Sequence, residues 1–246
     1  MRPAAVGFQC PEDVAEGQRQ QRPLRTAFGG RQTNGRPYVT MIFLAVNVLA
    51  FILQGFPVSS NKAPNQFTVD YIDYNFDIAS LHQYYRLLTG AFLHVSIWHI
   101  AVNMLVLVMV GPALEVMLGR VRYIALYLLS AVGGGVLVYL VEDAGYSALG
   151  ASGAIFGLFA AYWVLARRIR ADTSAITGTI VLNLIISVTF PGISLVGHLG
   201  GLITGALVGG VFALAPARRW PLQLAGVVAI AAILVIATLI RTSALT

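Results

Sequence analysis

Residues 195–214 read LVGHLGGLITGALVGGVFAL, an apolar run of 20 residues with one histidine and no Asp, Glu, Lys or Arg. An α-helix needs about 20 mostly apolar residues to cross the hydrocarbon core of a bilayer. Glycine recurs at every fourth position, at Gly197, Gly201, Gly205 and Gly209, which places small residues along one helix face. Such a face lets a second helix approach closely. The stretch therefore predicts a membrane-spanning helix that packs tightly against a neighbour.

Six further apolar runs have lengths suited to membrane helices. Of the 246 residues, 57% are hydrophobic and only 11% are charged, whereas about 25% of residues are charged in soluble domains. The run at about 175–190 is short and contains Asn183 and Ser187, which leaves its borders open. The other runs lie at about 39–57, 98–117, 122–141, 149–166 and 221–240. We predict an all-α polytopic membrane protein with seven transmembrane helices.

Basic residues are concentrated on one side of these helices. Thirteen lie in the N-terminal tail and in every second connection, whereas the opposite side holds only Lys62, Arg86 and Arg241. Because lysine and arginine accumulate on the cytoplasmic side, we expect a cytoplasmic N-terminus and an external C-terminus in the plasma (inner) membrane. The net charge of +6 is thus a topology signal, and no nucleic-acid partner is expected. Residues 1–38 predict a cytosolic, mostly disordered basic tail, and residues 58–97 predict an external loop.

Three of the runs begin on the external side, and each has polar residues near that end. His99 and Asn103 lie on the run at 98–117, Ser152 on the run at 149–166, and His198 on the run at 195–214. At about 1.5 Å of rise per residue, the four side chains lie at similar depths. Taken singly, each has a structural interpretation, as a packing residue or a hydrogen bond between helices. Their coincidence at one depth favours chemistry, because intramembrane polar groups are costly.

Ser152 and His198 together have the chemistry of a nucleophile and its base. A serine hydroxyl is hardly ionised at neutral pH, so it needs a neighbouring base to act as a nucleophile. No acidic residue shares this depth, which indicates a Ser–His dyad and not a triad. His99 and Asn103, four residues apart on one helix face, and the backbone N–H of Ser152 are candidate oxyanion donors. We interpret His94 as a structural residue that bonds to loop backbone.

Several motifs, within about residues 39–214, resemble those of the rhomboid family of intramembrane serine proteases. GASG at 150–153 resembles the family's nucleophile motif, and GHLGG at 197–201 resembles its general-base motif. RLLTGAFLH at 86–94, followed by His99 and Asn103, resembles its first loop and second helix. The resemblance implies a rhomboid-like six-helix bundle at 39–214, with residues 215–246 adding a connection and a seventh transmembrane helix.

The resemblance also implies roles for individual residues. Ser152 would be the nucleophile and His198 the general base. His99, Asn103 and the N–H groups of Ser152 and Ala151 would form the oxyanion hole.

Further positions in the motifs would support the site. Phe156 matches a position where an aromatic ring supports the catalytic histidine. Arg86 and Glu115 match positions that brace the first loop and its neighbouring helix ends. The remaining supporting positions are His94 and the motif glycines Gly150, Gly153, Gly197 and Gly201.

The sequence VGFQCPEDV at 6–14 resembles the end of an N-terminal zinc ribbon found in some relatives. Such a ribbon needs paired cysteines, but position 13 is Asp and Cys10 is the only cysteine. The tail therefore cannot build a Cys₄ zinc site, and no metal or other cofactor is expected. A degenerate ribbon and a chain start downstream of the family's usual start remain alternative interpretations.

The expected function is hydrolysis, by the Ser–His dyad, of peptide bonds in or next to transmembrane segments of other membrane proteins. The partners are then transmembrane protein substrates and the lipid bilayer. The alternative is a non-catalytic rhomboid-like protein that binds membrane clients. Loss of the nucleophile or base would indicate that alternative, and this chain keeps both. A transporter would show internal repeats or ionisable residues at the midplane, and the sequence has neither.

Overall fold

Helices make up most of the computed structural model, which describes residues 2–3, 8–10, 12, 16, 25–32, 35–56, 63–190, 192–216 and 218–245. The helices are α1 (Tyr38–Leu53), α2 (Gln66–Tyr71), α3 (Asn75–Ser80), α4 (Arg86–Thr89), α5 (Ile97–Leu118), α6 (Arg120–Val141), α7 (Ser152–Arg168), α8 (Ser174–Thr189), α9 (Leu195–Leu214) and α10 (Trp220–Leu245), with a 3₁₀ turn at Gly90–Phe92. Two antiparallel pairs of two-residue strands are also present: β1 (Arg2–Pro3) with β2 (Phe8–Gln9), and β3 (Asp73–Tyr74) with β4 (Ser147–Ala148).

Seven of the helices in the described residues, α1 and α5 to α10, lie on the seven predicted apolar runs. By length and composition, α5, α6, α9 and α10 are able to cross a membrane. The shorter apolar helices α1 and α8 have 16 residues each, and α7 has 17 residues, with Leu158 and Leu165 fully buried. The prediction of an all-α polytopic membrane protein is confirmed.

Two helices are shorter than their predicted runs, and left-handed backbone explains both, whereas the last helix extends past its predicted end near 240 to Leu245. The run predicted to end near 57 stops at Leu53, because Gly55 and Phe56 have φ angles of 77° and 52°. The run predicted to begin near 149 starts at Ser152, because Gly150 has φ of 130°. A right-handed helix requires negative φ, and glycine adopts positive φ with little steric cost. Ser152 is consequently the first residue of α7.

Glycines allow α9 to pack closely on α7. Gly201 faces the carbonyl oxygen of Gly153, and Gly205 faces that of Gly157, so tightly that a Cβ on either α9 residue would overlap the α7 backbone. The close face predicted from the four-residue glycine spacing is therefore the face that α9 turns toward α7. Helix α6 packs against both of them and completes the centre of the bundle.

A buried carboxylate joins α5 to the beginning of α1. Glu115 is fully buried and accepts hydrogen bonds from the backbone N–H groups of Val39 (3.0 Å) and Thr40 (2.9 Å), and from the Thr40 hydroxyl (2.9 Å). The first N–H groups of a helix have no partner within the helix, and their partial positive charge favours an anion. Glu115 thus supplies the cap that α1 lacks in its own sequence.

The loop between α1 and α5 is folded around Arg86. The Arg86 guanidinium pairs with Asp77 at 2.8 Å and donates to the carbonyl oxygens of Val69 (2.6 Å) and Ile72 (3.0 Å). Its side chain is only 4% exposed. These contacts join α2, α3 and α4 at Arg86. Arg86 is one of the two residues for which the family resemblance implied a bracing role.

Residues 25–32 differ from the predicted disordered tail, because they form a turn that packs on the bundle. The backbone N–H of Thr26 donates to the Gly30 carbonyl at 2.8 Å, and Phe28 is buried in the hydrophobic core. Burial of the Phe28 ring provides the apolar contact that the polar composition of the tail did not predict. The sequence that resembles a zinc ribbon, at 6–14, lies mostly outside the described residues, and Cys10 within it is exposed.

Replacement of Gly201 by alanine tests the close contact between α7 and α9. A Cβ at this position overlaps the Gly153 carbonyl, so Gly201→Ala is expected to reduce the free energy of unfolding by about 1–3 kcal/mol. Gly210, on the same helix, has open space around its Cβ position, so Gly210→Ala is expected to be neutral or to stabilise by up to about 1 kcal/mol. The melting temperatures (Tm) of both purified variants in detergent measure the difference. Equal Tm values would contradict the contact.

Candidate active site

Ser152 and His198 lie within hydrogen-bond distance of each other at one end of the bundle. Ser152 begins α7, and His198 lies in the first turn of α9, whose N-cap Ser194 accepts a hydrogen bond from the Gly197 N–H at 3.0 Å. The His198 Nε2 atom is 2.7 Å from the Ser152 Oγ atom. The structure therefore brings the two residues that the sequence paired into direct contact.

Three glycines surround this contact and bring the helix ends together. Positions for a Cβ on Gly134 of α6 and on Gly153 of α7 lie only 3.0 Å and 3.3 Å from the carbonyl oxygen of Gly197 on α9. Larger side chains here would separate the three helices and lengthen the distance between serine and histidine. Gly153 and Gly197 thus lie where the motif comparison placed them, next to the paired residues.

The His198 ring is held between an aromatic ring and a hydroxyl. Phe156, one turn after Ser152, stacks on the imidazole with ring centroids 4.2 Å apart and an angle of 16° between the planes. On the other edge of the ring, the Ser187 Oγ atom of α8 lies 2.6 Å from Nδ1. The same oxygen lies 2.6 Å from the carbonyl oxygen of Asn183. Both nitrogens of His198 therefore have serine partners, on different helices.

Sequence reasoning missed Ser187 as a site residue. A serine in a membrane helix commonly bonds to the carbonyl four residues earlier, and this contact with Asn183 is indeed present. The available signal was the spacing of Asn183 and Ser187, two polar residues four apart on one face of an otherwise apolar helix. Sequence alone did not show that this face turns toward His198.

His99 lies beside Ser152, separated from it by Gly150. The position of a Cβ on Gly150 would be 2.7 Å from the His99 Cε1 atom and 3.7 Å from the Ser152 Oγ atom. Asn103 is buried one turn further along α5 and donates from Nδ2 to the His99 carbonyl at 2.9 Å. Among the described residues, no hydrogen bond joins either side chain to Ser152. Ala151 precedes the serine and is fully buried.

His94 packs against His99, and the contact of its ring with loop backbone is limited to the nearby Phe92 carbonyl. The two imidazole centroids are 5.0 Å apart in an edge-to-face arrangement. Neither His94 ring nitrogen makes a well-formed hydrogen bond with a described residue, although the Phe92 carbonyl lies close enough to favour protonation slightly. Burial and the neighbouring His99 lower the pKa of His94 to about 3, so its ring is neutral at physiological pH. Its backbone N–H instead donates to the Gln54 side chain at 2.8 Å.

A small cavity of about 40 Å³ adjoins the serine and histidine. It is lined by Ser152, His198 and glycines of α6, and also by Asp73 from β3. This volume is enough for one water molecule where polar partners are present. Burial raises the pKa of Asp73 well above its usual value, and the positive charge of Arg86 opposes this effect only in part. Asp73 thus adds a carboxyl group, whose protonated form burial favours, to the wall of the cavity, although the sequence analysis placed no acidic residue at this depth.

The serine and histidine lie 2.7 Å apart at one end of a bundle of apolar helices, and most of this bundle matches a known domain. The family model for the Rhomboid domain matches residues 81–215, more than half of the chain. The chain therefore belongs to the rhomboid family, as its motifs predicted.

Individual relatives agree with this assignment. The chain is 33% identical over 177 residues to Rhomboid protease GluP of Bacillus subtilis (strain 168), a match that covers 70% of this chain and 34% of the relative. It is 37% identical over 142 residues to RHOMBOID-like protein 1 and 34% identical over 146 residues to RHOMBOID-like protein 2, both of Arabidopsis thaliana. These matches cover 55% and 56% of this chain and 36% and 45% of the two relatives. The chain thus spans between about a third and a half of these relatives' lengths.

The raised pKa of Asp73 predicts a stability effect of its replacement by asparagine. Because burial raises the pKa of this carboxyl in the folded protein, its ionisation costs stability as pH rises above the unfolded pKa of about 3.8. Asp73→Asn removes that cost, so its Tm relative to wild type is expected to increase between pH 4 and pH 8. Asp143→Asn, at an exposed position near the same end, is the matched control. Parallel Tm curves for the two variants would contradict the raised pKa of Asp73.

Proposed function

We propose that this protein is an intramembrane serine endopeptidase that cleaves peptide bonds in or next to transmembrane segments of membrane proteins. The observation that carries the proposal is the 2.7 Å contact between Ser152 Oγ and His198 Nε2. A neutral imidazole at this distance is able to take the hydroxyl proton as Oγ attacks a carbonyl carbon, and then to return that proton to the leaving amine. Water from the external side would hydrolyse the acyl-enzyme.

The two contacts of the Ser187 hydroxyl support the protonation state that this reaction needs. A carbonyl oxygen only accepts hydrogen bonds, so the single Ser187 proton points to Asn183 if both contacts are hydrogen bonds. Ser187 Oγ then accepts from the N–H at Nδ1 of His198. Nε2 is left without a proton and able to accept one from Ser152. We infer that Ser187 is a positioning residue that selects the reactive tautomer.

Three groups are proposed to stabilise the oxyanion. The N–H of Ser152 is at the first position of α7, where it has no partner within the helix and carries the positive end of the helix dipole. His99 adds its imidazole from across Gly150, and Asn103 has a second amide hydrogen beyond the one given to the His99 carbonyl. Because the Asn103 side chain makes no hydrogen bond with Ser152 in this structure, substrate binding would need to bring its amide to the oxyanion.

The packing of α8 supports this helix as the flank through which a substrate enters. Most of its apolar side chains are exposed, including Val181, Ile185 and Val188, and it has few contacts with the bundle. Loosely packed elements open at low free-energy cost. We propose that the N-terminus is cytoplasmic, that Ser152 lies toward the external side, and that residues 39–214 form the protease core.

Replacement of Ser152 by alanine tests the proposed nucleophile. Ser152→Ala is expected to lower cleavage of a transmembrane model substrate at least about 10³-fold and to abolish labelling by a fluorophosphonate. His198→Ala is expected to abolish labelling as well, because the hydroxyl loses its base. Ser147→Ala, which removes an exposed serine near the same end, serves as the matched control and should label like wild type.

A non-catalytic client-binding protein gives a different result in the same experiment. Wild type would then neither label nor cleave, and Ser152→Ala would bind membrane clients as well as wild type does. Cleavage by Ser152→Ala at the wild-type rate would remove Ser152 from the mechanism. Both variants should keep the wild-type Tm to within a few degrees, which separates loss of chemistry from loss of fold.

Replacement of Ser187 tests the proposed positioning role. Ser187→Ala is expected to lower kcat about 10- to 100-fold with little change in KM, because Nδ1 loses its acceptor and the ring is no longer held in one tautomer. Ser187→Thr retains the hydroxyl and should recover most of the rate. Thr189→Ala is the matched control, since the exposed Thr189 hydroxyl bonds only to the Ile185 carbonyl in the same way. Equal kcat values for Ser187→Ala and Thr189→Ala would contradict the role while leaving the dyad intact.

A further inference from the structure

A second and larger cavity, of about 920 Å³, lies at the end of the bundle opposite Ser152 and His198. It is bounded by the beginnings of α6 and α10, the end of α9 and the turn at 25–32. The arginines that line it are Arg25, Arg31, Arg120 and Arg122. None of the described residues in its wall is acidic. The cavity is therefore a strongly basic one, distant from the candidate active site.

Hydrogen bonds and packing hold the basic wall in place. The Arg122 Nε atom donates to the Gln223 Oε1 atom at 2.8 Å, and Gln223 Nε2 in turn donates to the Phe28 carbonyl at 3.2 Å. Gln223 is only 2% exposed. Gly30 lies so close to the Leu118 carbonyl that no side chain fits between them. The turn that carries Arg25 and Arg31 is thus fixed against α5, α6 and α10.

Among the described residues that line this cavity, no acidic side chain balances the arginines. Arg25 lies near enough to Arg122 for their charges to repel each other. The beginning of α6 adds the positive end of a helix dipole and has no acidic residue in its first turn. Glu115 is 3.9 Å from the Arg120 Nε atom, but its oxygens already accept the hydrogen bonds that cap α1. An anion in the cavity would offset this concentration of positive charge.

Apolar side chains form much of the remaining wall. The apolar residues that line the cavity are Val121, Ala125, Phe212, Leu224 and Val227. Val121 and Leu224 are 78% and 50% exposed, so the cavity is continuous with the outer surface of α6 and α10. Trp220, also in the wall, is the first residue of α10, and tryptophan is enriched at membrane interfaces. A free anion would gain nothing from this apolar surface, whereas acyl chains would cover it.

We propose that this cavity binds the phosphate headgroup of an anionic phospholipid, with its acyl chains along α6 and α10. Guanidinium groups form paired hydrogen bonds with phosphate oxygens, and basic pockets between membrane helices bind acidic lipid headgroups. The same end of the bundle is the proposed cytoplasmic side. The assignment does not depend on the proposed protease activity, because none of the lining residues belongs to that site.

Titration of the purified protein with phosphatidylglycerol or phosphatidylcholine, followed by native mass spectrometry, tests the site. Wild type is expected to retain phosphatidylglycerol in preference to phosphatidylcholine. Each arginine removed should weaken phosphatidylglycerol binding about fivefold, so Arg31→Gln loses about fivefold and Arg25→Gln/Arg31→Gln about 25-fold. The matched control is Arg167→Gln/Arg170→Gln, which removes two charges at the same end but outside the cavity, and should bind like wild type.

Three outcomes would overturn the proposal. The first is equal weakening in the two double variants, which would indicate general surface charge. The second is displacement of phosphatidylglycerol by millimolar inorganic phosphate, which would indicate a site for free anions. The third is equally tight retention of phosphatidylcholine. Because the Arg25 and Arg31 side chains are exposed, the Arg31→Gln and Arg25→Gln/Arg31→Gln variants should both fold, and an unchanged Tm verifies this.

Discussion

Ser152 and His198 meet because α7 and α9 approach each other without a side chain between them at the contacts of Gly153 with Gly201 and of Gly157 with Gly205. In a bilayer, no hydrophobic effect drives two apolar helices together, so close packing has to supply the attraction. The glycine contacts provide that packing and at the same time set the distance between the helix axes. A single Cβ in this contact would move one helix away from the other. The same feature of the sequence thus determines both the fold at the centre of the bundle and the 2.7 Å contact at its end.

The helices that form this centre contrast with α8, which covers one side of it. Residues on α7 and α9 are buried on most faces, whereas α8 exposes most of its apolar side chains. Its buried residue, Ser187, contacts the histidine ring through a hydrogen bond and not through apolar packing. Movement of α8 away from the bundle would therefore break a polar contact with His198 while exposing little buried apolar surface. The protonation state of the proposed base is in this way connected to the helix best placed to admit a substrate.

Sequence patterns were sufficient for the helices and for the pairing of Ser152 with His198, because apolar runs, glycine spacing and depth are all local properties. They were not sufficient for contacts that depend on which face of one element meets another. Ser187 is one example, since its spacing from Asn183 indicated a face but not the neighbour of that face. Phe28 is another, because the hydrogen bond from Gln223 to its carbonyl joins residues far apart in the chain. His94 was expected to bond to backbone, and its burial against His99 likewise depends on the fold of the first loop.

The direction of the helices gives the two ends of the bundle different electrostatic properties. Helices α5, α7 and α9 begin beside Ser152, so the positive ends of their dipoles provide partial positive charge where an oxyanion would form. The full positive charges that the structure describes near this end already have partners: Arg86 pairs with Asp77, and Arg241 donates to the Tyr139 carbonyl. Antiparallel connectivity requires α6 and α10 to begin at the opposite end, where the basic residues add to the same helix dipoles. The arrangement that favours a transient anion at one end therefore leaves the other end with positive charge that a bound lipid phosphate would neutralise.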